Sequence, residues 1–199
     1  STVGLGSSNN VLRILSNTLW NANALGITVG SGAGTGNILS VEGGVISNSG
    51  AIAIGSVTSG NLSNSLTIFN GAQWFGGNVT LTSTNFYNVG GTGARSTVSN
   101  GTIGVTGAFG MMTVTNATLQ SGAVTLSSAG VSNKISVLAG STWNLLGNSL
   151  AVGTANTTGS VFLVDGGGIA NGALVTNINN QTGLNLIAGN YNSLVISNG

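Results

Sequence analysis

The stretch Asn37-Ile38-Leu39-Ser40-Val41-Glu42-Gly43-Gly44 returns further along the chain as Asn64-Ser65-Leu66-Thr67-Ile68-Phe69-Asn70-Gly71. Each copy is announced by an apolar-glycine pair, Val29-Gly30 and Ile54-Gly55, and an earlier copy runs from Val3-Gly4 to Asn10-Val11-Leu12-Arg13-Ile14. Leu12, Leu39 and Leu66 are therefore equally spaced. Self-similarity at a fixed period, here about 27 residues, is the mark of one small unit stacked on itself.

Looser copies continue along the chain. Val89-Gly90 leads to Ser96-Thr97-Val98-Ser99-Asn100-Gly101, and Asn133-Lys134-Ile135-Ser136-Val137 ends at Gly140. Val152-Gly153 leads to Phe162-Leu163-Val164-Asp165-Gly166-Gly167, and Asn192-Ser193-Leu194-Val195-Ile196 closes the series. Between Gly101 and Gly140 the gap exceeds one unit, so Met111-Met112-Thr113-Val114-Thr115-Asn116 is expected to hold a short extra coil.

Within each unit apolar residues alternate, as in Ile52-x-Ile54, Val79-x-Leu81, Val124-x-Leu126 and Leu150-x-Val152. Period two specifies strands. They are short and bounded by Gly, Asn and Ser, which accept the left-handed backbone angles of tight corners. No segment sustains a helical period. Short strands in units of about 27 residues predict an all-β, parallel β-helix (β-solenoid), one domain over residues 1–199 with about seven coils. At about 4.8 Å per coil the rod is about 35 Å long. Its inward face is expected to carry Leu12, Ile14, Leu39, Val41, Leu66, Ile68, Ile135, Val137, Phe162, Val164, Leu194 and Ile196.

Composition fits that geometry. Only 3% of residues are charged while 41% are hydrophobic, so the chain can build a core and does not have the charge-rich, apolar-poor signature of disorder. In a stack, equivalent positions lie about 4.8 Å apart, where like unit charges repel by about 0.9 kcal/mol even in bulk water. A charged ladder would accumulate that cost. Asn, Ser and Thr can instead hydrogen-bond from rung to rung, as stacked Asn side chains do in cross-β assemblies. Glu42 and Asp165 each precede a Gly-Gly pair, but several coils separate them.

The V-G, polar turn, N-x-L-x-V, G-G arrangement resembles the Gly- and Asn-rich β-strand repeats of autotransporter passenger domains and related bacterial surface adhesins. The resemblance runs over nearly the whole chain. It implies a right-handed coil, placed outside a bacterial cell or on its surface and used as a stalk, adhesin or matrix component. The C-terminal membrane barrel of that family is not read here. Ser1 opens no leader peptide, so any targeting segment is expected to have been removed or to lie outside these residues.

Reactive chemistry finds little to stand on. With no His and no Cys, zinc, haem and iron–sulfur sites lack their usual ligands, and no cofactor or metal is expected. Two acids several coils apart cannot form the carboxylate pair of glycoside hydrolysis, roughly 5 to 10 Å across. No histidine stands by to activate a serine. Arg13, Arg95 and Lys134 are the sole side-chain cations, too few to neutralise a run of phosphates, so no nucleic-acid partner is expected. Gly30-Ser31-Gly32-Ala33-Gly34-Thr35-Gly36 lacks the lysine and the helix of a phosphate loop and is read as a corner. Calcium-binding repeats need an Asp in each turn, and Asp165 is alone. No apolar run approaches the length of a membrane helix, and the strands are about half the length of those in an outer-membrane barrel.

Trp20, Trp74 and Trp143 each follow a unit's closing residue by three positions, which assigns them one site in the coil. Packing beneath a corner is the expectation. An exposed platform for sugar rings or a neighbouring subunit is the alternative. Thr80, Thr82 and Thr84, or Thr113 and Thr115, hint at an ice-binding array, but their spacing does not recur between coils and strand propensity accounts for them. Bare strand edges are expected at the terminal coils, so either these residues are a segment of a longer protein or their ends meet those of other copies, with head-to-tail self-association the leading partner and surface glycans the alternative. The functional expectation is a non-catalytic, extracellular structural protein, a fibre subunit or surface stalk, with a carbohydrate-binding adhesin as the competing class.

Overall fold

The computed structural model describes residues 1–56, 61–126, 130–168, 172–179 and 187–198. The described residues form twenty-two strands, and no helix occurs among them. Numbered in chain order, the strands fall into three parallel sheets. Sheet A holds β1 (Thr2–Leu5), β4 (Ile27–Ser31), β7 (Ile52–Ile54), β10 (Val79–Leu81), β13 (Ile103–Val105), β16 (Val124–Leu126) and β19 (Leu150–Val152). Sheet B holds β2 (Val11–Leu15), β5 (Ile38–Glu42), β8 (Ser65–Phe69), β11 (Phe86–Gly90), β14 (Met111–Thr115), β17 (Lys134–Leu138), β20 (Val161–Asp165) and β22 (Ser193–Ser197). Sheet C holds β3 (Leu19–Asn21), β6 (Val45–Ser49), β9 (Gln73–Gly76), β12 (Ser96–Ser99), β15 (Ala117–Gln120), β18 (Thr142–Asn148) and β21 (Leu174–Ile178).

Each rung visits A, then B, then C, and lies flush on the rung before. The fold is thus the parallel β-solenoid expected from the repeats. Seven rungs are complete and β22 opens an eighth. In sheet B one inward column reads Leu12, Leu39, Leu66, Tyr87, Met112, Ile135, Phe162, Leu194. Its steps are unequal, shortest from Leu66 to Tyr87 and longest from Phe162 to Leu194. A constant repeat length is therefore an idealisation. Strand registers stay fixed while the corners absorb the differences in length.

The shortest step explains one misreading. Val89-Gly90 does not open a unit in the way Val29-Gly30 does: it closes β11 in sheet B, and Val98 pairs with Trp74 in sheet C. One short coil shifted the phase of the motif without changing its letters. The extra coil expected at Met111–Asn116 is there, as β14.

Packing fills the channel between the sheets. Leu39, Val41, Leu66, Ile68, Ile135, Val137 and Phe162 are buried, while Ile14, Val164 and Leu194 are half-buried. Two residues expected in the core are exposed: Leu12 is 36% and Ile196 72% accessible. Both do stand in inward columns, over Leu39 and Val164 respectively. They belong to the first and last rungs, however, and an inward side chain in a stack is enclosed only when rungs lie on both sides of it.

Candidate functional site

The residue just before each sheet B strand occupies the A–B corner: Asn10, Asn37, Asn64, Asn85, Gly110, Asn133, Ser160 and Asn192. The first four form an unbroken ladder. The backbone N–H and Nδ2 of Asn10 both donate to Asn37 Oδ1, at 3.0 and 2.8 Å. Asn37 donates in the same two ways to Asn64 Oδ1, each at 2.9 Å. Asn64 repeats the pattern onto Asn85 Oδ1, at 2.8 and 3.0 Å. Gly110 and Ser160 interrupt the side-chain contacts but keep the backbone ones, donating to Asn133 Oδ1 at 2.6 Å and Asn192 Oδ1 at 2.7 Å. Asn37, Asn64, Asn85 and Asn133 are completely buried. A buried primary amide is tolerated only when its bonds are made; Asn37 and Asn64 bond to the rungs on both sides, and Asn85, followed by Gly110, is satisfied by the preceding rung and by Thr82 and Ser83 of its own corner.

The corner is shaped for these amides. The residue immediately before each ladder position has positive φ in every rung: Asn9, Gly36, Ser63, Thr84, Phe109, Ser132, Gly159 and Tyr191, with φ from 53° to 69°. This turn aims the ladder residue's side chain inward. A glycine one residue before the end of the first two sheet A strands gives it room: a Cβ at Gly30 would overlap the side-chain amide of Asn64, and one at Gly4 that of Asn37. That is the physical content of the V-G … N motif.

The three tryptophans do share one column, in sheet C: Trp20, Ile46, Trp74, Val98, Leu119, Trp143, Val175. Trp74 and Trp143 are fully buried, and Trp20, in the first rung, is half-buried. Their polar edges are met at the C–A corner. Trp74 Nε1 donates to Ser49 Oγ at 3.0 Å and Trp143 Nε1 to Ser121 Oγ at 2.9 Å. Tyr87 reaches the same corner from sheet B, its hydroxyl donating to Asn100 Oδ1 at 2.7 Å. Burial pushes the Tyr87 phenol above its ordinary pKa. Trp74 and Trp143 therefore offer no platform to a sugar. The exposed aromatic rings are Phe75, on sheet C, and Phe109 and Tyr191, which share the A–B corner but lie three rungs apart.

The charged groups are scattered along the rod. Arg13 pairs with Glu42 across the first two rungs. Arg95 lies lengthwise on sheet C, donating to Thr118 Oγ1 at 2.9 Å, Ala117 O at 3.1 Å and Thr142 Oγ1 at 3.0 Å. Asp165 accepts from the Gly167 N–H at 2.9 Å and from Asn198 Nδ2 at 3.0 Å. The Gly167 N–H first, then the Asn198 amide, hold its carboxyl below the usual carboxylate range. Glu42 and Asp165 occupy one outward column five rungs apart, about 24 Å. Among the described residues no three His, Cys, Asp or Glu side chains gather as a metal site, and no helix is long and apolar enough to cross a membrane.

The threonines are more ordered than their sequence spacing suggests. Thr97, Thr118 and Thr142 stand in register on the outer face of sheet C. Coils of unequal length hid this alignment. Composition alone predicts Asn side chains bonding from rung to rung, and the positions that do so carry a sequence signal, an Asn two positions before each of Leu12, Leu39 and Leu66. Comparison with protein-family models, with curated proteins and with solved structures found no match.

Proposed function

We propose that this chain is a non-catalytic structural protein, a β-solenoid rod that stacks end to end as a fibre subunit or stands as a stalk on a bacterial surface. One observation carries the reading. The buried polar groups of the A–B corner are spent on the neighbouring rungs, so the chemistry of the molecule runs along its axis. A solenoid of this kind is stabilised by nearest-neighbour contacts and grows without limit in one dimension. Its terminal rungs present strand edges that a further rung, from the same chain or another copy, would continue. The placement outside a bacterial cell is supported by the resemblance of the repeats to passenger and adhesin domains.

Electron microscopy of the purified chain at rising concentration tests this. Eight rungs at about 4.8 Å make a single rod about 38 Å long, and the fibre reading expects longer rods in multiples of that unit. Particles of one unit length at every concentration would remove it. A glycan-binding adhesin is disfavoured on its original residues, because Trp74 and Trp143 are enclosed.

A further inference from the structure

The outer face of sheet C carries hydrogen-bonding side chains that the fold leaves unused. From β9 to β18 one outward column reads Gln73, Thr97, Thr118, Thr142, and its neighbour reads Phe75, Ser99, Gln120, Asn144. Rungs continue on both sides of this patch. Gln73, Thr97 and Gln120 are exposed, and their side chains make no hydrogen bond among the described residues.

Arg95 is fixed among them. A guanidinium has five N–H donors. Nε donates to Thr118 Oγ1, and Nη2 to Ala117 O and Thr142 Oγ1. These bonds lay the side chain along the axis and leave both Nη1 hydrogens uncommitted among the described residues. No carboxylate answers the charge. The two acids of the chain, Glu42 and Asp165, both stand in sheet B: Glu42 pairs with Arg13, and Asp165 is held by Gly167 and Asn198. Arg95 is thus a cation positioned by neutral groups alone.

The hydroxyls that hold it remain donors. A threonine oxygen that accepts from Arg95 keeps its own hydrogen, and neither Thr118 nor Thr142 gives that hydrogen to a described group. Thr97, one rung earlier in the same column, is likewise uncommitted. Two Nη1 hydrogens and three hydroxyls therefore gather around one positive charge, the threonines spanning about 10 Å of the axis. Donors in excess of acceptors beside a fixed guanidinium suit a carboxylate. Gln73 and Gln120 flank the cluster with amides that both donate and accept, as sugar hydroxyls require. The Phe75 ring, 40% exposed in the second column, offers an apolar surface to the C–H face of a sugar. The face is open and runs lengthwise, which fits an extended chain.

We infer that the outer face of sheet C binds an acidic polysaccharide, with a carboxylate on Arg95, Thr97, Thr118 and Thr142 and sugar rings along Gln73, Gln120 and Phe75. The site is a further function beside the structural one. It does not depend on whether rods join end to end, because a sheet face stays exposed in a fibre.

Calorimetric titration of the full chain with an oligogalacturonate, a chain of linked uronic acids, tests this, with inorganic sulfate and an uncharged maltooligosaccharide alongside. Oligogalacturonate should bind. Arg95→Gln should weaken that binding by about tenfold or more, the share of a hydrogen-bonded charge. Thr97→Val should weaken it by a smaller factor, and because Thr97 makes no bond to Arg95 this variant leaves the contacts between rungs intact. Lys134→Gln removes the same charge from an exposed position on sheet B and should change nothing. An equal loss with Lys134→Gln would reveal attraction to net charge and overturn the site. Sulfate or maltooligosaccharide binding as tightly as oligogalacturonate would overturn the acidic-polysaccharide assignment. Failure of oligogalacturonate to bind the parent chain would overturn the inference and leave the fibre reading to its own microscopy.

Discussion

Replacing Asn64 by Ala measures what the ladder is worth. The side chain takes part in five hydrogen bonds: Oδ1 accepts from Asn37 N–H and Nδ2, and Nδ2 donates to Gly34 O, Asn61 Oδ1 and Asn85 Oδ1. Some partners are covered without it. Asn85 Oδ1 keeps the Asn64 backbone N–H, and Asn61 Oδ1 keeps Ser56 N–H. The groups stranded are the Asn37 N–H, one Asn37 amide hydrogen and the Gly34 carbonyl. Each orphaned buried group costs about 1 to 3 kcal/mol, so the loss should be about 3 to 9 kcal/mol, a large share of the roughly 5 to 15 kcal/mol available to a typical fold. Because rungs stabilise only their neighbours, hydrogen exchange should accelerate first around Asn37, Asn64 and Asn85.

The assay is denaturant unfolding followed by tryptophan emission, with Ser40→Ala as the control. Ser40 faces outward from the adjacent rung and is half-buried, so its loss should fall within about 0.5 kcal/mol. Asn64→Asp adds a pH test. Its carboxylate would be buried against the acceptors Asn61 Oδ1 and Asn85 Oδ1, so its folded pKa must rise above the unfolded value of about 3.9. The protonated form is then the compatible one, and stability should fall as pH rises from about 4 toward 7. If Asn64→Ala costs no more than Ser40→Ala, the ladder is ornament and the argument for an axial architecture fails.

Trp74→Phe removes the bond to Ser49 and part of a buried ring, and should cost about 1 to 3 kcal/mol by the same unfolding assay; no change would mean the column is loosely packed. Tyr87 should stay protonated above the pH of about 10 at which a solvated phenol ionises. Its raised folded pKa opposes ionisation, so the fold is unaffected below about pH 10 and loses stability as pH climbs further; ultraviolet titration showing Tyr87 ionising near 10 in the folded chain would refute its burial. Trypsin should cut slowly at Lys134, which sits within β17, and rapid cleavage there would show that strand to be open.

The fold was legible because burial in a solenoid repeats. Leu39, Leu66 and Ile135 announce the same inward position without any knowledge of the corners between them. What resisted reading was whatever depends on how rungs are counted. The short coil between Leu66 and Tyr87 turned Val89-Gly90 from an apparent unit opener into a strand end, and unequal coils disguised the Thr97, Thr118 and Thr142 column, since corners change length at little cost while strand registers cannot. Leu12 and Ile196 failed as core residues for a different reason: their pattern is right, but enclosure comes from a neighbouring rung, which a local pattern cannot express. The ladder lies between these cases. Its asparagines recur at a fixed offset, yet their importance becomes visible only when a buried amide is seen to need a second amide overhead. The features that define this molecule are thus properties of pairs of rungs, and the Asn64 experiment addresses such a pair directly.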